Sequence, residues 1–140
     1  MTLLIDAAPL VALADPGDPQ REAILGTLAE EPGPLVIPAP TTAEIDYVLG
    51  RRFGPASRRA FLTDLAVGRF TVANLEREDY ATIVDLEARY ADLDLGLADC
   101  ALVTLAHRHQ TTRLLTFDER HFRTVTPPSG DAYVILPADA

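Results

Sequence analysis

Lysine is absent from this sequence: all twelve basic residues are arginine, set against 21 acidic ones, for a formal net charge of −9 over 140 residues. The missing lysine excludes two kinds of acidic-site α/β protein. A phospho-acceptor receiver domain needs a lysine after its last strand. A haloacid-dehalogenase-type phosphatase needs a supporting lysine and a second aspartate two residues after the first, where this chain has Ala8 after Asp6. The shortage of positive charge argues against holding nucleic acid through a broad basic face. It leaves room for a nuclease whose excess negative charge belongs partly to a metal site. Cysteine occurs once, as Cys100, which excludes an intramolecular disulfide and a cysteine-built metal centre. No apolar run approaches the ~18 residues of a membrane-spanning helix. Met1 leads straight into Leu3-Leu4-Ile5 and a charge, without the basic, apolar and small-residue series of a secretory leader. These absences give the expectation of a soluble protein of the reducing cytoplasm.

What is present fits one domain spanning residues 1–140, with 48% hydrophobic residues to fill a core. Repeats, low-complexity segments and linkers are missing. Short apolar runs at Leu3–Ile5, Leu35–Ile37, Phe70–Ala73, Leu114–Thr116 and Tyr133–Leu136 read as buried strands. Between them lie helical stretches: Ala7–Ala14, Asp18 to about Glu31, Thr41 to about Arg52, Ala56–Val67, Glu78–Tyr90 and Leu97–His109, with a short turn near Arg120. Asp18-Pro19 carries a helix-start signal, and Pro32-Gly33-Pro34 and Gly54-Pro55 are breaks. The helix from Leu97 bears an apolar stripe of Leu97, Ala98, Ala101, Leu102, Leu105 and Ala106. Strands alternating with helices imply a three-layer α/β sandwich around a central, mainly parallel five-stranded sheet. In such folds a ligand sits beyond the carboxyl ends of the strands, where the strand order reverses.

Four carboxylates fall where that rule puts a site. Asp6 directly follows the first strand, Glu44 lies in the first turn after the second, Asp99 follows the Gly96 break, and Asp118 follows the fourth strand. Brought together, they would repel by roughly 4 kcal/mol per pair at 4 Å and an effective dielectric near 20. A divalent cation among them removes that cost, and all-oxygen ligation favours Mg²⁺ or Mn²⁺ over zinc. Each has a plainer alternative. Thr41-Thr42-Ala43-Glu44 has the form of a capping box. Asp118 and Asp6 could each cap the helix that follows. Asp99 could complement a helix dipole, although a charge beside a core stripe is costly without a partner.

Taken in order, these segments resemble the motifs of the PIN-domain family. Leu4-Ile5-Asp6-Ala7-Ala8 is similar to its first motif and Thr42-Ala43-Glu44-Ile45 to its second. The stretch Leu95 to Leu102, centred on Asp99, resembles its central motif, and Leu115-Thr116-Phe117-Asp118-Glu119-Arg120-His121-Phe122 its last. Size and order over essentially the whole chain are similar to VapC-type toxins of type II toxin–antitoxin systems. The resemblance implies that Asp6, Glu44, Asp99 and Asp118 hold one or two Mg²⁺ or Mn²⁺ ions. It implies a metal that lowers the pKa of a water and neutralises phosphate charge during in-line attack. The reaction implied is endonucleolytic RNA cleavage leaving a 5′-phosphate and a 3′-hydroxyl, with Thr116 supporting Asp118. It implies a homodimer, and an antitoxin that inserts a segment, often with an arginine, into the acidic groove. Transfer, ribosomal and messenger RNA all fit as targets. One position departs from the pattern: Ala8 stands where the family usually has serine or threonine, so an orienting hydroxyl is missing. That departure, with the acidic balance, sustains a second expectation, a degenerate PIN domain that binds RNA or protein without cutting.

The remaining candidates are weaker. Arg51, Arg52, Arg58 and Arg59 flank Gly54-Pro55 and form either a phosphate-contacting clip or solvated helix ends. His107 and His109, two apart on a helix, cannot share a face as ligands. His121 lies close to Asp118, where it could contact substrate, but is expected in a structural or surface role. Cys100 is expected as a buried small side chain, and Asp46 and Asp94 in solvent or behind the cluster.

Overall fold

The computed structural model describes all 140 residues. In chain order the elements are β1 (Leu3–Ile5), α1 (Ala7–Leu13), α2 (Arg21–Glu30), β2 (Leu35–Pro38), α3 (Ala39–Phe53), α4 (Pro55–Ala66) and β3 (Thr71–Ala73). They continue with α5 (Arg77–Arg89), a 3₁₀ turn at Ala91–Leu93, α6 (Leu97–Arg108), β4 (Arg113–Leu115), α7 (Glu119–Thr124) and β5 (Val134–Leu136). The five strands make one sheet in the order β3-β2-β1-β4-β5. Every pairing is parallel, so the sheet is wholly rather than mainly so.

Alternation along the strands decides which layer each side chain enters. Leu4, Val36, Leu114 and Ile135 face a core shared with α5, α6 and α7. Leu3, Ile5, Ile37, Leu115 and Leu136 face the opposite core, filled by α1, α2, α3 and α4. Both faces are covered, which is why the strands read as unbroken apolar runs. No helix is long and apolar enough to cross a membrane.

Several boundaries shift for local reasons. The second helix starts at Arg21 rather than at Pro19; Asp18 instead forms a tight turn, its carboxylate accepting from the Gln20 N–H at 2.8 Å. The helix expected from Thr41 begins at Ala39, straight out of β2. Thr41 is thereby buried inside it and the Thr41–Glu44 capping box does not form. Leu97, as the first residue of α6, is exposed rather than buried, while Cys100 to Ala106 are all buried. On α5, Ile83 and Leu86 reach the core whereas Tyr80 and Val84 face outward.

In the order 3-2-1-4-5 successive strands lie to one side of β1 until β4 joins its other side. The reversal therefore falls between β1 and β4, and the two are tied at their carboxyl ends by the Asp6 N–H donating to the Leu115 carbonyl at 2.9 Å. The crevice expected of an open parallel sheet opens there.

Candidate active site

Asp6 leaves β1 at that crevice. Its extended backbone (φ −84°, ψ 170°) makes it the N-cap of α1, and Oδ1 accepts the Ala7 N–H at 2.8 Å. Its other oxygen, Oδ2, receives the Thr116 hydroxyl at 2.7 Å. Thr116, at the end of β4 and 1% exposed, also accepts the Asp118 N–H on Oγ1 at 3.1 Å. One buried hydroxyl thus sets both the carboxylate after β1 and the backbone that presents the carboxylate after β4. Ala8 contributes no hydroxyl; Thr116 delivers one to Asp6 from the neighbouring strand.

Asp118 caps α7: Oδ1 accepts the His121 N–H at 3.0 Å. Its Oδ2 lies 2.6 Å from His121 Nδ1, and Asp99 Oδ2 lies 3.6 Å from the same nitrogen. Asp99 comes from the first turn of α6 and Glu44 from α3, so the two helices carry carboxylates in from the two sheet faces. Burial, together with the charges of Asp6 and Asp99, raises the Glu44 carboxyl above its ordinary range. Burial and the charges of Asp6 and Asp118 raise Asp99, against a lowering by His121. The four carboxylates expected to converge do converge, and two of them register the repulsion. The caps foreseen as plain alternatives for Asp6 and Asp118 are also real; each residue caps a helix with one oxygen and holds the other against a site neighbour, Thr116 for Asp6 and His121 for Asp118.

None of the four carboxylates forms a salt bridge with an arginine. His121 Nδ1 is buried and makes no well-directed hydrogen bond despite its short approach to Asp118. One ligand atom from each of Asp99, Asp118 and His121 lies within 4.8 Å of the others. A crowded anionic site with no arginine among its carboxylates, and with a buried nitrogen that makes no hydrogen bond, fits a divalent metal ion.

Beside Glu44 a cleft of about 360 Å³ is lined by Ala8, Val48, Arg52 and Phe117 among others. Phe117, between the two site residues of β4 and α7, is 37% exposed. A larger cleft of about 610 Å³ lies at the amino ends of the strands, near Met1, Thr111 and Tyr133, and has one carboxylate, Asp131.

The arginines separate. Arg52 reaches the cleft beside Glu44, its guanidinium 4.9 Å from the Phe53 ring centre. Arg51 and Arg59 are exposed. Arg58 is not a free phosphate contact: it pairs with Asp46 at 3.1 Å and donates to the Asp46 carbonyl, tying α4 to α3. Asp46 is accounted for by the same pair. Asp94 closes the 3₁₀ turn in the left-handed region at φ 54°. His107 and His109 lie at the far end of α6 from Asp99. Cys100 is wholly buried, its thiol pushed up by burial and by Asp99 and Glu87. His121, for which a structural or surface role is expected from sequence, stands with its ring nitrogen facing Asp118 and Asp99. The signal available was its spacing: three residues after Asp118 in a helix start, it faces the same side.

A family model described as PIN domain matches residues 3–126. The chain belongs to the PIN-domain family. Among curated relatives, Ribonuclease VapC26 of Mycobacterium tuberculosis is 31% identical over 135 residues, covering 96% of this chain and all of the relative. Among solved structures, M. tuberculosis VapC20, described as a sarcin-ricin loop cleaving toxin, superposes with a TM-score of 0.77 at 15% identity, over 84% of this chain and 91% of that one. A toxin–antitoxin complex from Klebsiella pneumoniae gives 0.68 at 20% identity, over 88% of this chain and 92% of the other. VapBC2 of Rickettsia felis, bound to a promoter DNA fragment, gives 0.69 at 14% identity, over 96% and 97%. The PIN fold of this chain is therefore supported by sequence and by shape.

Proposed function

We propose that this PIN domain is an endoribonuclease that hydrolyses RNA phosphodiester bonds with Mg²⁺ or Mn²⁺, and that it acts in the cytoplasm as the toxin of a VapBC-type pair. The observation that carries this reading is the gathering of Asp6, Glu44, Asp99 and Asp118 at the sheet's switch point with no arginine among them. Burial and neighbouring carboxylates that raise Glu44 and Asp99 cost stability, and a metal-assisted reaction is the use that such a cost supports. The likeness to a curated ribonuclease over its full length names the substrate class.

Asp6, Asp99, Asp118 and Glu44 would hold the metal. When bound, the ion supplies Lewis-acid stabilisation of phosphate charge and lowers the pKa of a water. The chain's own residues do the orienting. Thr116 fixes the Asp6 carboxylate and the Asp118 backbone together, and the His121 N–H fixes Asp118. Arg52 stands beside Glu44 as a cation for a flanking phosphate, with Arg51 and Arg59 next along the same helix pair.

The toxin reading adds a homodimer and an antitoxin whose basic segment complements the acidic crevice. Two of the structural neighbours are toxin–antitoxin assemblies, which supports it. Ala8 favours the second reading, a PIN domain that binds without cutting. Incubation of purified protein with total bacterial RNA, in Mn²⁺, Mg²⁺ or EDTA and beside Asp99→Asn, separates them. Discrete fragments that vanish with EDTA and with the variant are expected. A folded wild type that cuts nothing in either metal supports the binding module instead.

A further inference from the structure

We infer that His121 is itself a metal ligand through Nδ1, which makes the site a mixed nitrogen–oxygen one that prefers Mn²⁺ to Mg²⁺. The inference rests on the metal-dependent reading above and adds a nitrogen to the all-carboxylate set.

The geometry is specific. The His121 peptide N–H is committed to Asp118 Oδ1, which turns Oδ2 toward the imidazole. Nδ1 then faces two carboxylate oxygens from different elements, 2.6 Å from Asp118 on the α7 cap and 3.6 Å from Asp99 on α6. Metal–oxygen bonds of roughly 2.1 Å place neighbouring ligands about 3 Å apart and opposite ones about 4.2 Å apart. The observed distances, 2.6 Å and 3.6 Å at Nδ1 and all within 4.8 Å across the cluster, straddle that range, so small side-chain adjustments would let the three share one ion. The nitrogen's two close partners are both carboxylate oxygens. It is buried, its direction toward Asp118 is poor for a hydrogen bond, and an unpaired buried polar atom is costly. A coordinate bond from the neutral imidazole would satisfy it. Mg²⁺ demands oxygen donors, whereas imidazole suits transition ions, so a nitrogen in the set shifts the preference toward Mn²⁺.

The test is pulsed electron paramagnetic resonance of the wild-type protein loaded with Mn²⁺, with equilibrium titrations of Mn²⁺ and Mg²⁺ alongside. A histidine nitrogen coupling is expected on the bound ion, altered when histidine carries the heavier nitrogen isotope. It should vanish in His121→Asn and persist in a His107→Gln, His109→Gln double variant. Mn²⁺ affinity should fall about 10–100-fold in His121→Asn, with Mg²⁺ affinity changed far less because an amide oxygen replaces the nitrogen. The labelled wild-type spectrum keeps the test valid if His121→Asn misfolds. Mn²⁺ bound by the wild type with no nitrogen coupling overturns the ligand assignment and leaves the metal reading standing. A folded wild type that binds no Mn²⁺ overturns both.

Discussion

Thr116 is the residue on which the site's geometry turns. Its hydroxyl both donates to Asp6 and accepts from the Asp118 backbone. Thr116→Val keeps the shape and removes both. Loss of about 1–3 kcal/mol of stability is expected from the stranded Asp118 N–H, together with a 10–100-fold loss of metal affinity; calorimetry and metal titration read the two separately. Asp99 makes the opposite trade. Its carboxyl is raised in the folded chain, so its contribution to stability is full below the unfolded pKa and is lost as pH rises through the folded one. In EDTA near neutral pH, Asp99→Asn should therefore melt higher than the wild type while cutting RNA at least about 100-fold more slowly. The melting gap should close as the pH falls below about 4, where the wild-type carboxyl is protonated as well. A gap that widens on acidification contradicts the repulsion.

The element scale shows how the scaffold holds these residues. Gly54 joins α3 to α4 at φ 89°, ψ −179°, a conformation almost restricted to glycine. Gly54→Ala should cost about 1–3 kcal/mol in denaturant unfolding and loosen the helix pair that presents Glu44 and Arg52. Gly50, one turn earlier, lies against the Arg58 guanidinium, which would have to move aside for a Cβ there. At the other end of the sheet, Arg113 on β4 reaches Glu31, just past α2, through Nη2 at 2.7 Å and Nε at 3.1 Å. The Glu31 side chain is 1% exposed, and its Oε1 has no partner. Removing only the arginine, as in Arg113→Ala, strands a buried charge and should cost about 3–5 kcal/mol. Glu31→Gln combined with Arg113→Met should recover much of that loss, which a double-mutant cycle would measure.

For the whole molecule, the decisive property is a net charge of −9 on a protein proposed to act on a polyanion. Few arginines are free at the crevice; Arg58 is spent on Asp46, and Arg108, Arg113 and Arg123 are paired elsewhere. RNA binding should therefore be weak and only shallowly dependent on salt. Arg52→Ala should lower the slope of log affinity against log salt concentration by about 1, as for one lost phosphate contact, with unfolding stability hardly changed. A steep slope that survives Arg52→Ala would place the phosphate contacts elsewhere.

Much of this architecture was legible in the chain. Leu3–Ile5, Leu35–Ile37 and Leu114–Leu115 announce strands buried on both faces, because only a sheet covered by helices on each side tolerates unbroken apolar runs. Asp6, Glu44, Asp99 and Asp118 stand out because a charge that directly follows a buried strand, or adjoins a core helix stripe, has few uses that offset its desolvation. Tertiary structure decided the rest. Sequence places Glu44 within a capping motif, and the start of α3 at Ala39, set by where β2 ends, removes that use. Sequence leaves His121 on a short surface helix; the packing of α7 beside α6 turns its nitrogen between two carboxylates. Local pattern fixes which residues are buried or charged, since that depends on neighbours a few positions away. Which charges meet depends on contacts across as many as 110 positions of chain, as between Asp6 and Thr116, and only the folded sheet order supplies those.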